Sequence, residues 1–340
     1  MSLIVDGTTG VTFNDSSLQG AAASPYVLKN RIINGDMRID QRNAGASVTP
    51  SSGNTYTLDR WFLAASQASK VSIQQSSTAP TGFNNSLKVT SLSAYTVGAS
   101  DYFDIVQKIE GYNIADLGFG TASAKTFTFS FWVQSSLTGT FGGVLLNGYE
   151  NYSYPFTYTI SSANTWEQKT ITVTAPTGGT WYSNNNPGLE ILFGLGVGST
   201  YSGTANSWAS ATYLGATGST SVVGTNGATW YITGVQLEIG STATPFERRL
   251  YNQELANCQR YYIKLNTYGV LLCIPSTNRN DRWSVVTLPV PMRSSPTLTL
   301  TADSSVAAST ADNITITISV DALNTTTAKS WTTLVSSAEL

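Results

Sequence analysis

The chain of 340 residues contains no histidine. That absence removes the usual general base of serine and cysteine nucleophile triads, together with the commonest zinc ligand. Charge is also scarce: 11% of residues are Asp, Glu, Lys or Arg, against roughly a quarter in ordinary soluble proteins. Ser, Thr, Asn and Gly must supply the rest of the polar surface, which suits rigid β structure. A formal net charge of −2 provides no basic field for phosphate backbones, so nucleic acid is not an expected partner. No run of about 18 apolar residues exists, so no membrane span is expected either. The opening residues "MSLIVDGTTG" lack the cationic region and sustained apolar stretch of a secretory signal peptide. There is no G-x-S-x-G elbow, no phosphate-binding P-loop and no C-x-x-C pair, and nothing calls for a cofactor. The two cysteines, Cys258 and Cys273, are read as two buried thiols in preference to a bridge.

What the sequence does contain is strands and turns. Residues 1–30 hold a short strand-like piece, too small to bury a core of its own, and then a small-residue linker. From about Arg31 to residue 243, strands alternate with Gly, Asn and Ser clusters. In "KTFTFSFWV", Phe127, Phe129, Phe131 and Val133 fall on one face and Thr128, Ser130 and Trp132 on the other. Leu87 and Val89, Ile171 and Val173, and a face made by Tyr231, Val235, Leu237 and Ile239 repeat the pattern. The expected fold is all-β: a large jelly-roll-type β-sandwich over 31–243, a short linking helix over 244–262 and a small C-terminal β domain over 263–340. The helix carries a start signal of Thr244 as N-cap, Pro245 at N1 and Glu247 at N3. An apolar stripe of Phe246, Leu250, Tyr251, Leu255 and Cys258 follows. The tail repeats strand patterns such as Ile314, Ile316, Ile318 and Val320.

Chemistry is harder to find. Asp101, Asp104 and Glu110 form the nearest carboxylate cluster of the kind glycosidases require, although acidic residues beside a strand are ordinarily solvated. Asn34, Asp36 and Asp40 have oxygens spaced to hold calcium, but a capped turn needs the same residues and is the preferred reading, so no metal is expected. The loops "NGYENYSYPFTYT" at 147–159 and "GTWYSNNNPG" at 179–188 set rings beside amides, and the second is the preferred site. Flat rings stack on sugar faces while amides satisfy hydroxyls, which makes Trp181, Tyr182, Asn184, Asn185 and Asn186 the candidate carbohydrate-binding residues.

Five blocks, "NRIINGDMRIDQRNAG", "DRW", "QKIEG", "FSFWVQSSLTGT" and "ITGVQLEIGSTATPFERRLYNQELANCQRYY", resemble a family of bacteriophage virion proteins. These are tail-fibre or related appendage proteins with a body similar to carbohydrate-binding-module jelly rolls. "DGTTGVTFNDSSLQ" is similar to the short pieces by which phage fibres attach or trimerise. The resemblance implies a non-enzymatic, homotrimeric virion component that contacts other virion proteins and recognises host surface glycan by multivalent binding. The alternatives are a virion structural protein without a ligand, such as a head decoration or tail adaptor, and a polysaccharide depolymerase.

Overall fold

The structure is a computed structural model that describes residues 4–6, 10–12, 18–19, 29–265, 269–271, 283–302, 306–310, 312–320 and 329–340. Near the N-terminus, β1 (Ile4–Asp6), β2 (Gly10–Thr12) and β3 (Leu18–Gln19) pair antiparallel in sequence order.

Eleven strands then build the sandwich, with a short parallel pair inserted before the last. They are β4 (Gly53–Leu58), β5 (Trp61–Ala65), β6 (Val71–Ser76), β7 (Ser86–Ser91), β8 (Tyr102–Glu110) and β9 (Phe127–Ser135). Next come β10 (Gly139–Asn147), β11 (Ser153–Ile160), β12 (Glu167–Val173), β13 (Pro187–Val197), the inserted pair β14 (Ser202–Gly203) and β15 (Gly215–Ala216), and finally β16 (Thr229–Ile239). One sheet runs β11-β10-β13-β8-β5-β4 and the other β12-β9-β16-β7-β6. Neighbours within each sheet are antiparallel, and the chain crosses repeatedly from one sheet to the other, as a jelly roll does.

Alternation decides what lies between the sheets. Phe127, Phe129, Phe131 and Val133 are fully buried, and Phe129 and Phe131 meet Phe193 of the opposite sheet at 5.6 and 5.1 Å between ring centroids. Each such ring contributes about 2–3 kcal/mol by leaving water. On the other face of β9, Thr128 and Ser130 are buried and Trp132 is half-buried.

The face read for β16 needs correction. A bulge falls between Thr233 and Gln236, and Gly234 there adopts φ +61°. The extra residue changes the facing of the strand: Trp230 and Ile232 join Val235 and Leu237 in the core, while Tyr231 packs on Trp166 and Ile239 is exposed.

The linking helix is also shorter than its signals imply. α1 spans Tyr251–Gln259, and its N-cap position is Leu250, which offers no side-chain cap. Thr244 and Glu247 are bonded elsewhere. The Thr244 backbone N–H and hydroxyl donate to the Glu238 carboxylate, Glu247 N–H donates to Gln236 Oε1, and the Glu247 carboxylate accepts from Asn30 N–H. Tertiary hydrogen bonds to β16 thus hold residues 244–247 in a strap instead of a first turn. The apolar stripe shifts with it. Leu250 and Tyr251 are exposed, and α1 buries Glu254 and Cys258. Cys258 is a free buried thiol, while Cys273 lies outside the described residues.

Beyond the helix, β17 (Tyr262–Leu265), β18 (Gly269–Leu271) and β20 (Thr297–Ala302) all pair with β23 (Lys329–Ser337). A second sheet is β19 (Trp283–Thr287), β22 (Thr315–Val320) and β21 (Val306–Thr310). Ile263, Leu288, Met292, Ile316, Ile318 and Leu334 form the core between them.

Candidate functional site

Four of the blocks that carry the family resemblance converge at one end of the sandwich, and what they build there is a knot of paired charges. Asn34 sits at φ +57°. Its amide donates to the carbonyls of Ile39 and Asp59, and its own carbonyl accepts from Trp61 Nε1. Arg60 is fully buried, pairs with Glu339 and lies 3.6 Å over the Tyr261 ring. Arg42 pairs with the same carboxylate and lies 3.6 Å over Tyr262. Glu110 accepts two bonds from Arg260, at 2.7 and 3.1 Å, and one from Tyr261 Oη at 2.9 Å. Burial pushes the Tyr261 hydroxyl up to about 12. Glu254 accepts from Asn34 N–H and pairs with Arg249.

The same knot absorbs the proposed calcium ligands. Asp40 braces the N–H groups of Asn43 and Gly45, and Asp36 pairs with Arg38 at 3.1 Å. Among the described residues no cluster of His, Cys, Asp and Glu is arranged to hold a metal ion. The capped-turn reading of "NGDMRID" accounts for these side chains.

The carboxylate cluster is dispersed. Asp101 lies in a loop, where hydrogen bonds from Tyr95, Ser66 and Gly98 hold its carboxyl well below the usual range. Asp104 and Glu110 share a face of β8 but stand six residues apart, about 20 Å along a strand, which is twice the largest glycosidase separation. They do not form an acid/base pair.

Of the candidate carbohydrate residues, the structure sets Trp181 in an aromatic cluster, pairs Tyr182 with one further ring, and ties the loop down at Asn184, Asn185 and Asn186. Trp181 meets Phe119 at 4.8 Å, Trp208 at 5.7 Å and Tyr152 at 6.4 Å. Tyr152 stacks on Trp208 at 5.6 Å, and Tyr182 stacks on Tyr149 at 4.1 Å. All five rings outside the core residue Phe119 keep some exposure. Asn184 and Asn186 bond through their carbonyls to the backbone N–H groups of Tyr112 and Gly111. Asn185 exchanges bonds with Arg293, donating from its amide and accepting at its backbone carbonyl. Backbone carbonyls of Asn184 and Asn186 and the Asn185 side chain dock the loop, while Asn184 is exposed and Trp181 and Tyr182 keep partial exposure.

The sequence reading missed a trough on the outer face of the six-stranded sheet. It has a volume of about 220 Å³. Cross-strand register puts Val106 beside Phe62 and Leu192, an apolar floor that is itself only 1–3% exposed and has Tyr56, Ala64, Tyr213 and Leu214 packed against it. At one end Lys108 Nζ lies 2.9 Å from Glu190 Oε1 and 3.5 Å from Glu150 Oε1. Burial pushes the Glu190 carboxyl up to about 7 against the pull of Lys108.

At the other end Asp104 lies between Ala64 and Gly194, which bring no polar side chain to it. Asp104 is fully buried, and neither carboxylate oxygen has a hydrogen-bond partner among the described residues. Burial holds its carboxyl well above the ordinary range. An unpartnered buried carboxyl costs stability and calls for an explanation.

The trough and the ring cluster share a border. Residues 148–152, the turn between β10 and β11, carry Tyr149 and Tyr152 into the ring contacts and Glu150 into the trough. The segment after β14 does the same with Trp208 and Leu214.

No protein-family profile matches the chain, and no curated protein matches it. Solved structures do. The enzymatically active domain of tailspike protein 4 from bacteriophage CBA120 aligns at a TM-score of 0.34 and 14% identity, over 62% of this chain and 21% of that one. A family 11 carbohydrate-binding module from Clostridium thermocellum, solved with a mixed-linked tetrasaccharide, aligns at 0.30 and 14%, over 57% and 100%. The N-terminal cellulose-binding domain of a Cellulomonas fimi β-1,4-glucanase aligns at 0.27 and 13%, over 50% and 84%. This chain therefore spans about a fifth of the tailspike domain. At such TM-scores the superpositions say nothing about where a site lies.

Proposed function

We propose that this protein is a bacteriophage appendage subunit that attaches to host surface saccharide and does not turn it over. The observation that carries the binding half of this reading is one sheet face on which an apolar floor, buried charged groups and a rim of rings adjoin. Sugars present both apolar ring faces and hydroxyls, so a surface that recognises them combines flat apolar area with a few fixed polar groups. Asp104, Lys108, Glu190 and Glu150 would bond hydroxyls, while Tyr149, Tyr182 and Trp208 would stack. Weak sites of this size become effective through multivalency, and a homotrimer on a particle presenting three copies to a dense glycan layer supplies it. The virion assignment rests on the sequence blocks quoted above.

A glycan array probed with the full chain tests binding, and light scattering tests the trimer. The reading expects saccharide hits and a mass three times that of one chain. Trp208→Ala should weaken a hit about threefold to tenfold, the worth of one aromatic contact. An empty array together with a monomer would leave the second reading, a ligand-free virion structural protein. That reading is favoured by the way the Asn184 and Asn186 backbone carbonyls and the Asn185 amide tie their loop to the body of the protein. Release of reducing ends from any bound saccharide would instead favour a depolymerase.

A further inference from the structure

The trough is electrically unbalanced, and the imbalance selects a ligand. At one end the Lys108 ammonium lies against two carboxylates, Glu190 and Glu150, which together exceed its charge. At the other end, four residues along β8 and so about 13 Å away, Asp104 has no cation at all. No salt bridge or hydrogen bond reaches it from any described residue. Its neighbours across the sheet are Ala64 and Gly194, and a methyl added at Gly194 would stand 3.6 Å from Asp104 Oδ1. The carboxyl is 0% exposed to bulk solvent but lines the trough, and the side chains beside it are the smallest on the sheet.

Every other buried acid described above has a donor or a cation. Glu110 has Arg260, Glu254 has Arg249, Glu190 has Lys108, and Asp59 accepts Gln41 N–H at 2.7 Å. Asp104 is the exception among them, and it lines the trough. Among the described residues no second and third metal-ligating side chain joins it, so a divalent cation would lack ligands there. A single carboxylate above an apolar floor matches one ammonium group on an otherwise flat, hydroxylated ring.

We infer that the trough takes a saccharide bearing a free primary amine, with the ammonium seated on Asp104 and the sugar ring lying over Val106, Phe62 and Leu192. This rests on the saccharide-binding reading above and narrows it. A charge-assisted bond formed inside such a trough is about twice as strong as a neutral one. Acetylating the amine removes the charge and adds bulk at the same atom. The pair therefore distinguishes free amino sugars from their N-acetylated forms.

The test is calorimetric titration of the full chain with a glucosamine tetramer and with the N-acetylglucosamine tetramer of the same linkage. The glucosamine tetramer should bind about tenfold more tightly or better. Asp104→Asn, a near-isosteric neutral replacement, should bring the two to parity. With the unsubstituted chain, the carboxyl ¹³C resonance of Asp104 should move from the protonated to the ionised position as the glucosamine tetramer is added, and that readout does not depend on a variant folding. Equal binding of both tetramers, or tighter binding of the acetylated one, overturns the amine assignment and leaves saccharide binding standing. Binding of neither, alongside an empty glycan array, overturns both. Binding of Nα-acetyl-lysine methylamide with neither tetramer bound would also overturn both, in favour of a peptide ligand.

Discussion

Two polar regions of this molecule bury charge, and they do it in opposite ways. In the knot at the sandwich end, each buried charged side chain has a counter-charge: Arg60 and Arg42 share Glu339, Arg260 meets Glu110, Arg249 meets Glu254. In the trough, Asp104 has none. Saturated polar groups hold a fold together, whereas an unsaturated one is held at a cost in stability, and such costs cluster at functional sites. The distinction separates what is built for architecture from what is built for a ligand, although one strand, β8, supplies a buried acid to each region, Glu110 at its end and Asp104 within it.

The comparison is tested most severely at Arg60. Arg60→Ala leaves the Glu339 carboxylate with Arg42 alone and empties the space over the Tyr261 ring. We expect a loss of about 3–5 kcal/mol in chemical denaturation, the usual consequence of breaking a buried pair. A loss under 1 kcal/mol would show that the knot is ornamental.

Glu110→Gln should cost less, about 1–2 kcal/mol, because its partner Arg260 has a side chain 37% exposed and water can replace the pairing. Saccharide binding should be untouched in this variant.

Asp104 predicts the opposite sign. Burial raises its folded-state pKa above the unfolded 3.8, so the folded chain retains a proton that the unfolded chain has released. Stability is then greatest at or below about pH 4 and declines as pH rises, until Asp104 itself ionises in the folded state. Glu190, pushed up to about 7, contributes a decline in the same direction between its unfolded value of 4.5 and about 7. Asp104→Asn removes the first contribution. Its melting temperature should exceed that of the unsubstituted chain at pH 8, and the gap should close toward pH 4. A variant less stable at pH 8 would show that the carboxylate has a partner after all.

The smallest stability effect belongs to the rim. Tyr149 is 44% exposed, so Tyr149→Ala should change stability by under about 0.5 kcal/mol while weakening saccharide binding.

How much of this was legible in the sequence follows the same divide. Strand β9 was readable because strict alternation of Phe127, Phe129 and Phe131 with Thr128 and Ser130 has no other explanation. β16 was read correctly at Val235 and Leu237 but not at Tyr231, because one left-handed glycine, Gly234, changes the facing of the strand at a bulge that periodicity does not report. The α1 start failed for a related reason. Thr244 and Glu247 carry a true local capping pattern, yet Glu238 and Gln236 of β16 compete for the same groups and win.

At the site, ring-rich loops are legible at 147–159, which carries Tyr149 and Tyr152, and at Trp181 and Tyr182, but Trp208 stands alone in its segment and the meeting of these loops shows only in the fold. The trough left a signal that was misassigned. "DYFDIVQKIEG" places Asp104, Val106 and Lys108 on one face, an acid, an apolar residue and a base in a row, which no solvated or core-facing strand requires. Grouping Asp104 with Asp101 and Glu110 by proximity in sequence concealed that row. The small neighbours Ala64 and Gly194 that leave Asp104 without a polar partner become visible only through register.

Hydrogen exchange on the full chain with and without a saccharide taken from array hits is the most direct measurement of the central claim, that the unsaturated trough and not the saturated knot is the binding surface. We predict added protection in β8, β13 and residues 148–152, with residues 30–45 and 258–262 unchanged. Protection confined to the knot segments, or to neither region, would contradict it.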